Sequence, residues 1–330
     1  MLGEGDIITL AKGDYRLRAP LAGSAYGIVW RATGPHGADV ALKLINQEQM
    51  ARADSALQRR WTESADTEIG FLRTLAPWDE RHIVRLLDSG AHDGLPVMAL
   101  ELMGPDLSRL GREALPLTQT LAWIGQINQA LATVHQCGWL YLDLKPANVL
   151  TSLTDAGVRL ADFGTSRLRA AIAPGVYTGT ASWQAPEQFF PSARSTYDTD
   201  TRSDYFALGA MLYHLATGGA QLRFGVTCGD AWRAHQSAAP AHILAAHDGR
   251  IPPTLTEDEA DLFAHKVGSR AAGPALDLLR ALLASEREAR PRHALEISRM
   301  IAALGQPKPA PRAVFHLPRP GAGYRIGSFA

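Results

Sequence analysis

The stretch Tyr141-Leu142-Asp143-Leu144-Lys145-Pro146-Ala147-Asn148-Val149-Leu150 places a carboxylate, an ammonium and an amide within six positions, with a proline stiffening the backbone between them. Apolar residues bracket the polar ones. A core therefore tethers both ends while Asp143, Lys145 and Asn148 project into a cleft. Such a trio suits phosphoryl transfer: Asp143 accepts a hydroxyl proton, Lys145 neutralises charge on the transferred group, and the Asn148 carbonyl is a hard oxygen ligand for Mg²⁺. Taken alone, the stretch also reads as a surface turn with incidental charges. The rest of the chain decides between the two.

With 330 residues and 46% hydrophobic composition, the chain can build two lobes with cores of their own. Thirty-three basic residues balance thirty-three acidic ones, so no global field recruits nucleic acid or an anionic membrane, and neither partner is expected. Cys137 and Cys228 are too few for a disulfide framework or a Cys-rich zinc site, which fits a reducing compartment. The first ten residues carry Glu4 and Asp6 with no basic region or long apolar run, and no later stretch approaches a membrane span. A soluble cytoplasmic protein is expected.

From Asp14 to Met103 the pattern is mostly that of strands: Tyr15 to Pro20, Ile28 to Ala32, Val40 to Ile45, Ile83 to Leu87 and Pro96 to Leu102. One helix interrupts them, because Trp61, Ala65, Glu68, Leu72 and Leu75 recur at helical spacing. A carboxylate in that apolar stripe needs a cation, and the preceding strand offers Lys43, so a Lys43–Glu68 ion pair is predicted. Between the first two strands, Leu21-Ala22-Gly23-Ser24-Ala25-Tyr26-Gly27 is a small-residue turn whose amides can approach phosphate, or an ordinary hairpin loop.

After Met103 the pattern becomes helical, which sets a lobe boundary near Met103 to Pro105. Leu121, Ile124, Ile127, Leu131 and Val134 form a stripe that ends at Gly138, just before the polar loop. Asp162-Phe163-Gly164 places a second carboxylate, a metal-ligand candidate, on a turn. Ser203 to Thr217 is apolar nearly all round and opens with Asp204, so a buried helix with a dipole-stabilised carboxylate is predicted. Gly219 to Pro253 gives only weak helical signals and reads as surface structure, its histidines solvated. Leu276, Leu279, Leu282 and Leu283 give a further helix, and the Pro-rich stretch after Gly305 reads as a tail, disordered or extended in part.

Taken in this order, the motifs resemble the eukaryotic-type Ser/Thr protein kinase family over residues 14–303. The resemblance implies an α+β, bilobal fold: a small antiparallel β lobe with one long helix (14–103) and a larger, mainly helical lobe (104–303), between an N-terminal extension (1–13) and a Pro-rich tail (304–330). It implies ATP and Mg²⁺ as cofactors and a protein bearing Ser or Thr as substrate. Residue by residue, Lys43 resembles the phosphate-binding lysine and Glu68 its helix partner. Asp143 resembles the catalytic base, Lys145 the phosphate-contacting lysine, and Asn148 and Asp162 the metal ligands. Ala22, Gly23, Ser24, Gly27, Val29 and Ala41 fall in the nucleotide-binding set. Leu100 resembles the gatekeeper, and Glu101 and Met103 are expected to offer backbone groups to adenine. Ala185-Pro186-Glu187 resembles the end of the activation segment, Arg290 the arginine that pairs with that glutamate, and Thr180 the threonine beside the catalytic aspartate.

The departures carry information of their own. Where the family's loop has three glycines, this chain has Ala22, Ser24 and Gly27, which weakens the expected phosphate cradle. The usual His-Arg-Asp triplet is Tyr141-Leu142-Asp143. Tyr141 is expected to stack under Phe163 with its hydroxyl seeking a polar partner, and Leu142 cannot hold an activation-loop phosphate as arginine does. The leading expectation is an active protein Ser/Thr kinase that does not depend on activation-loop phosphorylation. A pseudokinase scaffold and a small-molecule kinase of the aminoglycoside or choline type are the alternatives. A regulatory partner is expected at 219–253 or through the tail.

Overall fold

Alternation along one strand sets the small lobe. In β4 (Asp39–Ile45), Val40, Leu42 and Leu44 point into a core with Ile8, Leu10, Tyr15, Leu17, Val97 and Ala99, which leaves Ala41 and Lys43 on the opposite face. The computed structural model describes the chain except residues 1, 24–26, 79, 112, 170–176, 193, 270 and 306–330. Ser24 and the Pro-rich tail from residue 306 onward therefore lie outside the described residues.

The sheet comprises β1 (Ile7–Leu10), β2 (Gly13–Gly23), β3 (Gly27–Thr33), β4, β5 (Leu86–His92) and β6 (Leu95–Glu101), antiparallel in the order β1-β2-β3-β4-β6-β5. Two differences from the sequence reading stand out. A sixth strand, β1, joins the sheet from within the expected N-terminal extension, and Ile8 and Leu10 are buried there. Asp88 Oδ2 accepts from the Tyr15 hydroxyl at 3.0 Å and from the Lys12 N–H at 2.8 Å, tying the β1–β2 end of the sheet to β5. In addition, Ile83 and Val84 do not start β5. Ile83 bridges Leu160 in parallel and Val84 N–H donates to the Leu160 carbonyl at 2.9 Å, so this segment anchors to the large lobe. A short apolar run does not reveal which partner completes its hydrogen bonds.

Short α1 (Gln47–Arg52) precedes α2 (Ser55–Thr74), which Asp54 caps through the N–H groups of Ala56 and Leu57, each at 2.9 Å. Its predicted stripe is buried, Glu68 included. Helix α2 lies against β4, β5 and β6 and so faces the cleft.

The large lobe contains α3 (Leu117–Gln136), β7 (Trp139–Leu140), β8 (Val149–Thr151), β9 (Val158–Leu160), β10 (Arg167–Leu168), α4 (Pro186–Phe189), α5 (Thr201–Thr217), α6 (Arg223–His235), α7 (Ala239–Ala246), α8 (Glu257–Val267), α9 (Ala272–Leu282) and α10 (Ala294–Gly305). The α3 stripe and nearly all of α5 are buried in one core with Phe189, Phe206 and Leu279. Residues 219–253 depart from the surface reading. They form α6 and α7, with Phe224, Cys228 and Ile243 buried. Two glycines in α6 depress its intrinsic propensity, and packing overrides it.

Candidate active site

Strand β7 delivers the chain to the loop at Tyr141, whose ring enters the core and whose hydroxyl donates to the Ala161 carbonyl at 2.5 Å. The ring meets Phe163 edge-on at 5.2 Å, and Phe163 stacks on Phe71 of α2 at 4.5 Å. The Tyr141 ring thus meets Phe163 edge to face rather than stacking on it as expected, while its hydroxyl finds the expected polar partner in the Ala161 carbonyl. One apolar stack links the loop, the Asp162-Phe163-Gly164 turn and α2.

Leu142 and Asp162 both hold left-handed backbone, at φ 66° and 61°. Such strain costs on the order of 1–3 kcal/mol and persists only where neighbours enforce it. At Leu142 the enforcement is visible. Its N–H donates to Asp204 Oδ1 at 2.7 Å, and its carbonyl accepts from Gln188 Nε2 at 3.0 Å. Asp204 Oδ2 accepts from the Tyr141 N–H at 3.0 Å and lies 2.8 Å from His135 Nε2. The first turn of α5 therefore fixes the backbone that presents Asp143.

Asp143 is nearly buried, and each carboxylate oxygen is engaged. Oδ1 accepts from the Thr180 hydroxyl at 2.8 Å; Oδ2 accepts from Lys145 Nζ at 2.7 Å and Asn148 Nδ2 at 3.1 Å. Lys145 also donates to the Thr180 oxygen at 2.8 Å, which closes a triangle. Burial pushes the Asp143 carboxyl above its ordinary range, against the downward pull of Lys145 and the Thr180 hydrogen bond. Asn148 Nδ2 further donates to the Asp143 carbonyl at 2.9 Å.

On the other wall, Lys43 Nζ lies 2.6 Å from Glu68 Oε2, forming the predicted ion pair, and 3.0 Å from Asp162 Oδ1. Burial opposes the Lys43 charge, but Asp162 and Glu68 outweigh it and raise the lysine's pKa. Lys43 in turn holds the Asp162 carboxyl below its usual range, whereas burial raises that of Glu68. Val29 pairs with Lys43 across β3 and β4 and Ala22 pairs with Val29, so these three share the sheet face that Ala41 also occupies. Gly23 ends β2 and Gly27 opens β3. Glu101 ends β6, with Met103 just beyond it.

Some site features were missed from sequence. The Ser64 hydroxyl donates to the Gly164 carbonyl at 2.9 Å and ties α2 to the Asp162-Phe163-Gly164 turn. Glu101 accepts from Arg85 N–H at 2.9 Å and is bonded to Arg159 of β9, a bridge between lobes, while its own N–H donates to the Arg85 carbonyl at 3.0 Å. Ser64 lies among Thr62, Glu63, Asp66 and Thr67 and carries no local signal of its own; the Arg159 pairing leaves none either, because its partner is distant in sequence. In the large lobe, Glu187 and Arg290 form a two-pronged pair at 2.7 and 2.9 Å, as the resemblance implied.

The family model described as "Protein kinase domain" matches residues 21–299. The chain belongs to the protein kinase family. It is 36% identical over 217 residues to the serine/threonine-protein kinase PkaA of Streptomyces coelicolor, covering 62% of this chain and 39% of that one. It is 29% identical over 270 residues to the serine/threonine-protein kinase PknL of Mycobacterium tuberculosis, covering 80% of this chain and 63% of that one. The chain thus spans less than two thirds of either relative's length. Among solved structures, the kinase domain of Mycobacterium tuberculosis PknI, a double mutant, superposes with a TM-score of 0.59 at 25% identity, covering 93% of this chain and all of that one. Among the described residues of the chain, no helix is long and apolar enough to cross a membrane.

Proposed function

We propose that this chain transfers the γ-phosphoryl group of ATP to Ser or Thr hydroxyls of proteins with Mg²⁺, and that it does so without depending on activation-loop phosphorylation. The observation that carries the reading is the closed triangle of Thr180, Asp143 and Lys145, since it docks the activation segment on the catalytic loop.

The residues present fit the cofactors. Asn148 spends its amide nitrogen on Asp143, which leaves the carbonyl oxygen, and the Asp162 carboxylate is half exposed. Both offer hard oxygens of the kind Mg²⁺ prefers, and Mg²⁺ bound there supplies charge neutralisation on the phosphates. Lys43, held by Glu68, binds a phosphate oxygen. Asp143 takes the proton of the acceptor hydroxyl as its oxygen bonds to phosphorus and the bond to ADP breaks. Lys145 offsets negative charge on the group in transit.

Phosphate independence is supported at Leu142, whose apolar side chain is buried beside the base and offers no cation to a phosphate. The test is to compare initial rates of protein phosphorylation by untreated and phosphatase-treated enzyme, with phosphosites mapped by mass spectrometry. Rates within a few-fold of each other support the reading. A loss of about a hundredfold on dephosphorylation, roughly 2.7 kcal/mol of transition-state stabilisation, contradicts it. Mg-dependent ATP binding with no transfer in either sample supports a pseudokinase scaffold instead.

A further inference from the structure

Helix α6 grips the activation segment at two points, one on each side of Thr180. At the first, Tyr177 lies face to face on Trp232, with ring centroids 3.8 Å apart and planes 11° apart. Tyr197 and Phe189 meet the same tyrosine ring edge-on at 5.9 and 6.4 Å. At the second, Ser182 sits against Gly225 and Gly229, one helical turn apart. A Cβ on Gly225 would run into the Ser182 carbonyl oxygen, and one on Gly229 into the Ser182 hydroxyl. These glycines are what let the helix approach so closely.

Between the two grips the segment is bound to the catalytic loop. Gly179, at φ 97°, leaves no room for a Cβ beside the Leu142 carbonyl, and Thr180 bonds Asp143 and Lys145. Gln184 Nε2 donates to the Thr178 carbonyl and closes the turn. The Tyr177 hydroxyl is buried and has no hydrogen-bond partner among the described residues. Its ring is therefore used for packing, and burial raises its pKa in keeping with that.

We infer that Trp232 is a positioning residue for phosphoryl transfer: stacked on Tyr177 and set by the Gly225–Gly229 seat, it holds Thr180 on Asp143 and Lys145. This inference rests on the phosphate-independent reading and deepens it by naming a contact other than a phosphate–arginine pair that holds the segment.

The test uses the full chain, phosphatase-treated, with β-casein as acceptor, in three forms: wild type, Trp232→Ala and Trp232→Phe. Trp232→Ala is expected to lower kcat at least tenfold while the KM for ATP stays within twofold, and Trp232→Phe to restore kcat to within threefold of wild type. A Gly225→Ala chain, which pushes α6 off Ser182 by a different route, is expected to show the same split between kcat and the KM for ATP. If Trp232→Ala keeps kcat within twofold while phosphatase-treated wild type is active, the inference fails alone. A parallel loss of kcat, ATP affinity and Tm marks a merely structural role and also overturns it, as does a Trp232→Phe chain no better than Trp232→Ala. Inactive phosphatase-treated wild type overturns the underlying reading, and this inference with it.

Discussion

The N–H of Leu142 donates to Asp204 Oδ1 across 2.7 Å, at a residue whose φ of 66° an isolated leucine avoids. The same carboxylate accepts from the Tyr141 N–H, so the buried start of α5 holds the backbone that presents Asp143, the proposed base. Asp204→Ala strands two buried N–H groups, each costing about 1–3 kcal/mol when unpaired. Urea unfolding is expected to show a loss of about 2–6 kcal/mol, with a smaller loss for Asp204→Asn, which keeps one acceptor. A loss under about 1 kcal/mol for the alanine would show that the loop holds its shape without Asp204.

If Asp143 is the base as proposed, the acid limb of the pH–rate profile reports it. Burial raises the Asp143 carboxyl above its ordinary range, and a proton acceptor must be ionised, so activity is expected to fall with acidity at a pH above that of a free aspartate. Lys145 pulls the same pKa down, so Lys145→Ala is expected to move the limb to still higher pH while lowering the rate. By linkage, a carboxyl with a raised folded pKa contributes stability at acid pH and loses it as pH rises from the unfolded value through the folded one. A limb that stays put or moves to lower pH in Lys145→Ala would separate it from Asp143.

Much of the small lobe is legible in the sequence because strand alternation and helical spacing are local signals. Glu68 shows this best, since a carboxylate inside an apolar stripe demands a cation and Lys43 meets it. The loop from Tyr141 to Asn148 is legible for the same reason, its chemistry lying within a few residues. What the sequence hides depends on partners far along the chain. Ile83 leaves the sheet because Leu160 receives it, and Glu101 bridges lobes because Arg159 lies opposite. Helix α6 is masked by Gly225 and Gly229, which weaken its local signal while permitting contact with Ser182. Strand β1 is short and flanked by glycine, so its pairing with β2 sets it more than its own pattern does.

Arg290 is buried over Phe206 and donates to Glu187 and to the carbonyls of Ala284, Arg202 and Ser285. Arg290→Ala leaves Glu187 without its cation and is expected to cost about 3–5 kcal/mol in chemical denaturation. Arg290→Lys is expected to recover only part of this, because an ammonium cannot reproduce the planar fork that reaches both carboxylate oxygens. Full recovery by lysine would show that charge alone matters there.

A Cβ on Gly164 would overlap the Ser64 hydroxyl, which bonds the Gly164 carbonyl. Overpacking of this kind costs about 1–3 kcal/mol, so Gly164→Ala is expected to displace α2 and lower kcat about tenfold or more. Adding Ser64→Ala to the same chain removes the obstruction and is expected to restore most of the rate. A double variant as slow as Gly164→Ala would place the defect elsewhere in the turn.

The most direct measurement is the initial rate of phosphate transfer from γ-labelled ATP to a protein acceptor by wild type and by Asp143→Ala, with ATP binding followed in parallel. Loss of a general base lowers rates by about a hundredfold to ten-thousandfold. The expected result is label on serine and threonine with wild type, a rate at least about a hundredfold lower with Asp143→Ala, and ATP affinity within a few-fold in both. Equal labelling by the two proteins would contradict the assignment of Asp143 as the base.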